Sequence, residues 1–255
     1  MGEIVFGNLT LNLSSYIANC TFMMKYLHLF FDLDHTLWDF EANSRQTLFE
    51  LYNHLQLKLI GIDDFDKFHK NYIVHNDKLW ERYRNGFIKV EELRWKRMWL
   101  TLLDFKIGDE TLAREMGNQF LELLPTRKIL FPHALEILHY LTEKKYQLHL
   151  ITNGFEKTQH SKLKNSGLDK YFKQVITSEG SNSLKPHKEI FDYALQKTGA
   201  KKQESIMIGD SMEVDILGAI NAGIDQVYVN HLGIINQETR PTYTVNSLKE
   251  LADIF

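Results

Sequence analysis

The chain has 255 residues, 44% of them hydrophobic and 25% charged, an ordinary globular composition that excludes disorder, collagen and coiled coil. Thirty Lys and Arg against 33 Asp and Glu give a formal net charge of −3, so no basic excess exists to neutralise a polyphosphate, and a nucleic-acid polymer is not an expected partner. The single cysteine, Cys20, permits neither an internal disulfide nor a Cys-rich zinc site and points to a reducing, cytoplasmic setting, while no run approaches the roughly 18 apolar residues of a membrane span.

Residues 1–24 carry one charge, Glu3, and no Lys or Arg, so they lack the basic start of a secretory signal. At Met24 the text changes to MKYLHLFFDLDHTLW, the form in which many cytoplasmic chains begin. Two readings of this leader are open: a misplaced start codon, with the natural N-terminus at Met23 or Met24, or an extra tail or hairpin. The sequons at Asn8, Asn12 and Asn19 carry no weight without a secretion signal.

Tyr26 to Leu33 is a short aromatic-rich apolar run ending in acids, the pattern of a buried strand. Four helical stretches follow at 41–57, 64–84, 89–105 and 109–124, each with apolar residues three and four apart, punctuated by Gly86, Gly108 and Pro125. After Pro132 the pattern alternates strictly: helix 134–144, strand 147–152, helix 157–166, strand 174–177, helix 188–198, strand 205–208, helix 214–222, strand 226–229. Such alternation predicts a parallel sheet with helices on both faces. The expected fold is therefore an α/β, Rossmann-like core over 25–38 and 128–255, with a four-helix cap over 39–127 inserted after the first strand.

In open parallel sheets, ligands bind beyond the carboxyl ends of the strands. Those ends carry Asp32 and Asp34, then Thr152, Asn153 and Gly154, then Asp210 and Ser211 with Asp215 on the next helix, and Lys185 opens the preceding helix. Crowded carboxylates repel, and oxygen donors without Cys or His favour a hard cation, Mg²⁺, which keeps waters and a substrate phosphate. The combination suits phosphoryl transfer, with one Asp attacking covalently and a second carboxyl exchanging the proton. The eleven histidines show no ligand spacing. The four tryptophans are read as bundle core, with Trp38 and Phe40 as the aromatics best placed to meet a nucleobase, and Asn43 to Gln46 and the turn at Gly86 could face substrate.

The set DLDHT, TNG, LKP and GDSMEVD, in this order, resembles the haloacid dehalogenase superfamily of phosphohydrolases, and FFDLDHTLWDF, LHLITNGFEKTQ and LKPHKEIF resemble its pyrimidine 5′-nucleotidase subgroup. The resemblance spans the chain from Lys25 onward. It implies that Asp32 is the nucleophile forming an aspartyl-phosphate and that Asp34 is the acid/base, its backbone carbonyl on the metal. It further implies that Thr152, Asn153 and Gly154 hold phosphate oxygens, Lys185 bridges nucleophile and phosphate, and Asp32, Asp34 and Asp210 form the metal site. Asp215 and Ser211 would stand behind them, orienting a metal water or Lys185. Where the family commonly carries Gly before the Thr, this chain has His35. Asp34 argues against a 2-haloacid dehalogenase. A small phosphorylated metabolite is the expected partner; a sugar-phosphate or flavin-mononucleotide phosphatase, a β-phosphoglucomutase-like mutase and a non-catalytic binding module are the alternatives, and the oligomeric state is left open.

Overall fold

The structure, a computed structural model, describes residues 25–233 and 239–255. The leader with Cys20 lies outside the described residues.

Six strands, β1 (His28–Phe31), β2 (Gln147–Thr152), β3 (Gln174–Thr177), β4 (Ser205–Gly209), β5 (Asp225–Val229) and β6 (Tyr243–Val245), form one parallel sheet in the order β3-β2-β1-β4-β5-β6. The chain runs outward in both directions from β1, so the switch in strand order lies between β1 and β4. Phe31 is level with Leu150 and with Ile208, so the residues that follow these three strands leave the sheet side by side.

Both faces of the central strands β1, β2 and β4 are buried, as a parallel sheet requires. Leu29, Phe31, Leu148, Leu150, Ile206 and Ile208 face one core, whereas Phe30, Ile151 and Met207 face the other. The first core is covered by α5 (Ala134–Glu143), α6 (Glu156–Ser166) and a C-terminal 3₁₀ helix (Leu248–Asp253); the second is covered by α8 (Lys188–Thr198) and α9 (Leu217–Ala222). A single turn, α7 (Ser178–Ser181), follows β3. Helices α1 (Phe40–His54), α2 (Phe65–Arg84), α3 (Val90–Asp104) and α4 (Glu110–Leu123) form the bundle after β1, packed around Phe68, Tyr72, Met98 and Phe120. Among the described residues no helix is long and apolar enough to cross a membrane.

The observed elements depart from the expected ones at identifiable points. Asp39, Asp64 and Asp109 are caps, each accepting a backbone N–H three residues on, so α1, α2 and α4 start one residue beyond an acid. The helix expected from Val214 opens instead as a π-helical turn over Met212–Ile216, in which the Asp215 and Ile216 N–H groups both donate to the Ser211 carbonyl. β6, α7 and the C-terminal 3₁₀ helix are too short to show a period in sequence.

Two chain crossings join bundle and sheet, and they pair with each other. Trp38 bridges Leu130 in antiparallel fashion, Asp39 N–H donates to the Ile129 carbonyl at 3.1 Å, and Phe131 N–H donates to the Leu37 carbonyl at 2.9 Å. Asn43, fully buried, staples this junction. Its Nδ2 donates to the carbonyls of Asp39 (2.6 Å) and Ile129 (2.7 Å), and its Oδ1 accepts from Ile129 N–H (3.0 Å). The segment opening at Asn43 thus holds the two parts of the chain together at its first residue and does not face the cavity described below. Asn43→Leu would strand these buried partners, and a loss of about 1–3 kcal/mol is expected. Urea denaturation checks it, through a lowered midpoint at unchanged slope.

Candidate active site

The strand ends meet around one buried ammonium. Lys185 Nζ donates to Asp32 Oδ1 (2.5 Å), to Asp215 Oδ1 (2.7 Å) and to the Ile151 carbonyl (2.8 Å), with Lys185 only 1% exposed. Its backbone is gripped from the other side, because Asn153 Oδ1 accepts from Lys185 N–H (2.7 Å) and Asn153 Nδ2 donates to the Lys185 carbonyl (2.8 Å). The Asn153 side chain is therefore committed to placing Lys185.

Asp215 Oδ2 accepts from Ser211 N–H at 3.0 Å, and Ser211 Oγ accepts from Val214 N–H at 3.2 Å, closing the turn. A Cβ at Gly209 would fall 2.3 Å from Asp215 Oδ2, so only glycine at the end of β4 leaves room for this carboxylate. Thr36, fully buried, donates to Asp210 Oδ1 at 2.7 Å and accepts from Asp210 N–H at 3.1 Å, fixing Asp210 from the turn that follows β1. Asp32, Asp210 and Asp215 each offer a carboxylate oxygen, all within 4.8 Å of one another.

Three carboxylates against one ammonium leave a formal −2, the deficit one divalent cation removes, and oxygen-only donors suit Mg²⁺. The acids register the crowding. Burial, then Asp215, push the Asp210 carboxyl up to about 6. Burial pushes Asp32 well above the ordinary carboxylate range, against the pull of Lys185. For Lys185, burial acts to lower the ammonium, but Asp215 and Asp32 outweigh it and hold the group above the usual lysine value.

Asp34 lies apart from this trio. His35, at φ 63° in the left-handed region, turns the chain just after Asp34, a strain of about 1–2 kcal/mol that glycine would not incur. The turned carboxylate meets α6: Lys162 Nζ donates to Asp34 Oδ1 at 2.6 Å and Gln159 Nε2 donates to Oδ2 at 2.9 Å. Gln159 Nε2 also donates to Thr152 Oγ1 at 2.7 Å, and Gly154 N–H donates to the same hydroxyl at 3.1 Å. A Cβ at Gly154 would sit 2.4–2.8 Å from the Gln159 side chain, so this glycine makes room for the amide. The Lys162 ammonium also lies 4.3 Å from the Trp38 ring centre, and burial pulls it below the ordinary lysine value in spite of Asp34.

Asp32, Asp34, Lys185, Asp210 and Asp215 line one cavity of about 430 Å³, with Thr152, Asn153, Gly154, Ser211 and Phe40 on its walls, while Gln159 and Lys162 stand behind Asp34. Its far wall is a face of α2, presenting Asn76, Asp77, Trp80 and Arg84 within about a third of the helix circumference. Of the two aromatics best placed from sequence to meet a base, Trp38 is fully buried in the core and is not part of the lining, whereas Phe40 is; Trp80 also lines the cavity, stacked on Phe155 at 5.6 Å. Gln159 and Lys162, absent from the sequence-derived set, had a signal in retrospect: a Gln and a Lys three apart, on the helix that follows Thr-Asn-Gly, share the face turned toward the strand ends.

A parallel α/β sheet whose strand ends assemble carboxylates, a buried lysine and a hydroxyl around a cavity defines a hydrolase suited to phosphoryl groups. The haloacid dehalogenase-like hydrolase model matches residues 26–223. The chain is 34% identical over 90% of its length to the pyrimidine 5′-nucleotidase PynA of Streptococcus pneumoniae, covering 95% of that protein. It is 32% identical over 91% of its length to the pyrimidine 5′-nucleotidase YjjG of Escherichia coli, covering 98% of it. Among solved structures, the magnesium-bound putative HAD-hydrolase YfnB of Bacillus subtilis superimposes with a TM-score of 0.81 at 27% identity, over 90% of this chain and 98% of that one. The chain belongs to the haloacid dehalogenase-like hydrolase family, and it is a phosphatase of that family.

The raised Asp210 carboxyl gives a pH test in metal-free protein. Folding moves this group from its ordinary 3.8 to about 6, so between those values the folded chain holds a proton that the unfolded chain has lost. Its stabilising contribution is complete below the lower value and disappears as pH rises through about 6. In EDTA, wild type should therefore lose melting temperature relative to Asp210→Asn between pH 4 and pH 7. Mg²⁺ should stabilise wild type more at pH 7 than at pH 5. A pH-independent difference between the two proteins would remove Asp210 from the cluster.

Proposed function

We propose that this protein is a Mg²⁺-dependent phosphomonoesterase acting on pyrimidine 5′-nucleotides through an aspartyl-phosphate on Asp32. The observation that carries the chemistry is the convergence of Asp32, Lys185, Thr152 and the Asp210–Asp215 pair on one cavity. Asp32, Asp210 and the Asp34 carbonyl would hold the cation. When bound, Mg²⁺ supplies positive charge against the transferring phosphoryl oxygens.

In the first half-reaction an Asp32 oxygen bonds to phosphorus as the phosphorus–ester oxygen bond breaks, and Asp34, carrying a proton in place of one of the bonds it accepts from Lys162 and Gln159, gives that proton to the departing alcohol. In the second, water attacks the acyl phosphate, Asp34 takes the water proton, and phosphate leaves with Asp32 restored. Lys185 holds one oxygen of Asp32, leaving the other to attack, and lines the cavity in which the phosphoryl group would sit. Thr152 and the amides of Asn153 and Gly154 offer donors to the remaining oxygens, the Gly154 N–H exchanging its bond to the Thr152 hydroxyl for one to phosphate. The bundle serves as a cap over 39–127 that roofs the cavity with α2, excluding bulk water and adding substrate contacts. The nucleotide assignment draws its support from the two pyrimidine 5′-nucleotidases named above.

Phosphate release from p-nitrophenyl phosphate should require Mg²⁺, stop in EDTA, and fall on the order of 10³-fold or more in Asp32→Asn. Equal activity in that variant would remove Asp32 from its role. Across UMP, dUMP, dTMP, purine monophosphates, flavin mononucleotide and sugar phosphates, the pyrimidine nucleotides should give the highest kcat/KM. A sugar phosphate in first place would keep the chemistry and discard the substrate.

A further inference from the structure

Gln159 on α6 is fully buried, and its amide nitrogen spends both hydrogens inside the site: Nε2 donates to Asp34 Oδ2 at 2.9 Å and to Thr152 Oγ1 at 2.7 Å. The amide oxygen, Oε1, has no hydrogen-bond partner among the described residues, which for stability alone is an unfavourable way to bury an amide. Turned over, that oxygen would take the Thr152 proton but would stand against the Asp34 carboxylate, itself an acceptor, so Asp34 sets the sense of the amide. The Thr152 hydroxyl is oriented as a result. Its oxygen accepts from Gln159 Nε2 and from Gly154 N–H (3.1 Å), which uses both lone pairs and leaves its own O–H as a donor. Thr152 and Asp34 both line the cavity. Three residues along α6, Lys162 Nζ donates to Asp34 Oδ1 at 2.6 Å, with the Trp38 and Phe40 ring centres 4.3 Å and 5.6 Å away. One helix face thus holds the Asp34 carboxylate by both oxygens and the Thr152 hydroxyl by one lone pair.

We infer that Gln159 is a positioning residue that ties phosphate binding to proton exchange: it leaves the Thr152 O–H to donate to a phosphoryl oxygen and holds Asp34 at the cavity wall, where the departing oxygen takes its proton. This rests on the phosphoryl-transfer reading above and adds a residue to it. A donor stabilises developing charge best when its direction is set beforehand, and a hydroxyl whose lone pairs are both taken has one direction left for its proton. An acid, likewise, acts only within hydrogen-bond reach of the atom that receives the proton. Gly154 belongs to the same device, because a Cβ there would fall 2.4–2.8 Å from the Gln159 side chain and displace the amide. A carboxylate at position 159 would reverse the arrangement. Having only acceptors, it would draw the Thr152 proton away from phosphate and repel Asp34.

The test takes wild type, Gln159→Met and the isosteric Gln159→Glu, with Mg²⁺ present, through two measurements that packing alone would not move. The first is the ratio of kcat/KM for p-nitrophenyl phosphate to that for phenyl phosphate. Nitrophenolate leaves without a proton whereas phenolate benefits from one, so a displaced Asp34 costs more on the second, and the ratio should rise about tenfold in both variants. The second is inhibition by inorganic phosphate, whose inhibition constant should rise about tenfold in Gln159→Glu and less in Gln159→Met, where the hydroxyl is freed but not reversed. In a Thr152→Val background, Gln159→Glu should raise that constant clearly less than it does in wild type. An unchanged ratio in the folded variants, an unchanged inhibition constant in Gln159→Glu, or the same rise with and without the Thr152 hydroxyl would overturn the inference. Should Gln159→Met not fold, Gln159→Glu carries both measurements. Failure of the underlying reading is separate and visible in the same assay, as Asp32→Asn retaining wild-type activity.

Discussion

An ammonium withdrawn from water is the constraint around which this site is arranged. Burying a lone lysine costs several kcal/mol, and the charge is tolerated only where acceptors surround it. Lys185 finds them on three segments distant in sequence: Asp32 after β1, the Ile151 carbonyl on β2, and Asp215 in the turn after β4. The bonds that make the burial tolerable also draw the ends of β1, β2 and β4 into one constellation. Local chain geometry follows from it, since the glycine ending β4 makes room for Asp215 and the Asn153 amide is spent on the Lys185 backbone. Stability and chemistry share the same contacts here, and a half-satisfied version of this network would be worse than an apolar core.

A second buried lysine keeps the charges sorted. Lys162 and Gln159 occupy both oxygens of Asp34, so four acids fall into two groups: Asp34 paired with Lys162, and the cluster of Asp32, Asp210 and Asp215, in which Lys185 bonds Asp32 and Asp215. Were Asp34 to join the trio, one ammonium would face four carboxylates, and the repulsion would exceed what a single divalent cation removes. The α6 pair therefore separates the carboxylate proposed for proton exchange from the carboxylates proposed to carry metal and phosphate. Thr152 is tied into the same arrangement, since one Gln159 nitrogen serves both its hydroxyl and Asp34.

Much of this was legible in the sequence, for reasons that differ by residue. The strands before Asp32, Asn153 and Asp210 are apolar runs bounded by turn residues, and burial on both faces of a parallel sheet produces that pattern directly. The acids announced themselves because they stand at the ends of those runs. Lys162 and Gln159 did not, because on a helix of ordinary polar composition a buried cation looks like a solvated one until the strand end beneath it is placed. Trp38 lies in the core, as read for the tryptophans; only its candidacy for base contact, suggested by its position at the junction, fails, because the paired crossings set its ring against Lys162. Asn43 is the same kind of case, a polar residue whose partners lie 86 residues away in sequence. Periodicity reports faces of an element, whereas these residues are defined by what packs against them.

The division between sheet and bundle has a mechanical consequence. The reacting groups stand on strand ends with little freedom, while the wall that meets the rest of the substrate is carried by α2, attached through two short crossings. Phe155 connects the two parts. It follows Gly154 in the loop after β2, stacks on Trp80 of α2, and lies beneath the Arg94 guanidinium of α3, 5.0 Å from its ring centre. The segment that would grip phosphate and the wall that would meet the base thus lean on the same ring. Contacts made far from phosphorus can then act on the reacting end, because a substrate held at both positions has its ester fixed against Asp32, and binding energy from the distant part serves orientation. A phosphate ester lacking that part would leave α2 without a partner and the cavity open to water, so selectivity in this architecture is expressed in the rate of the chemical step as well as in binding.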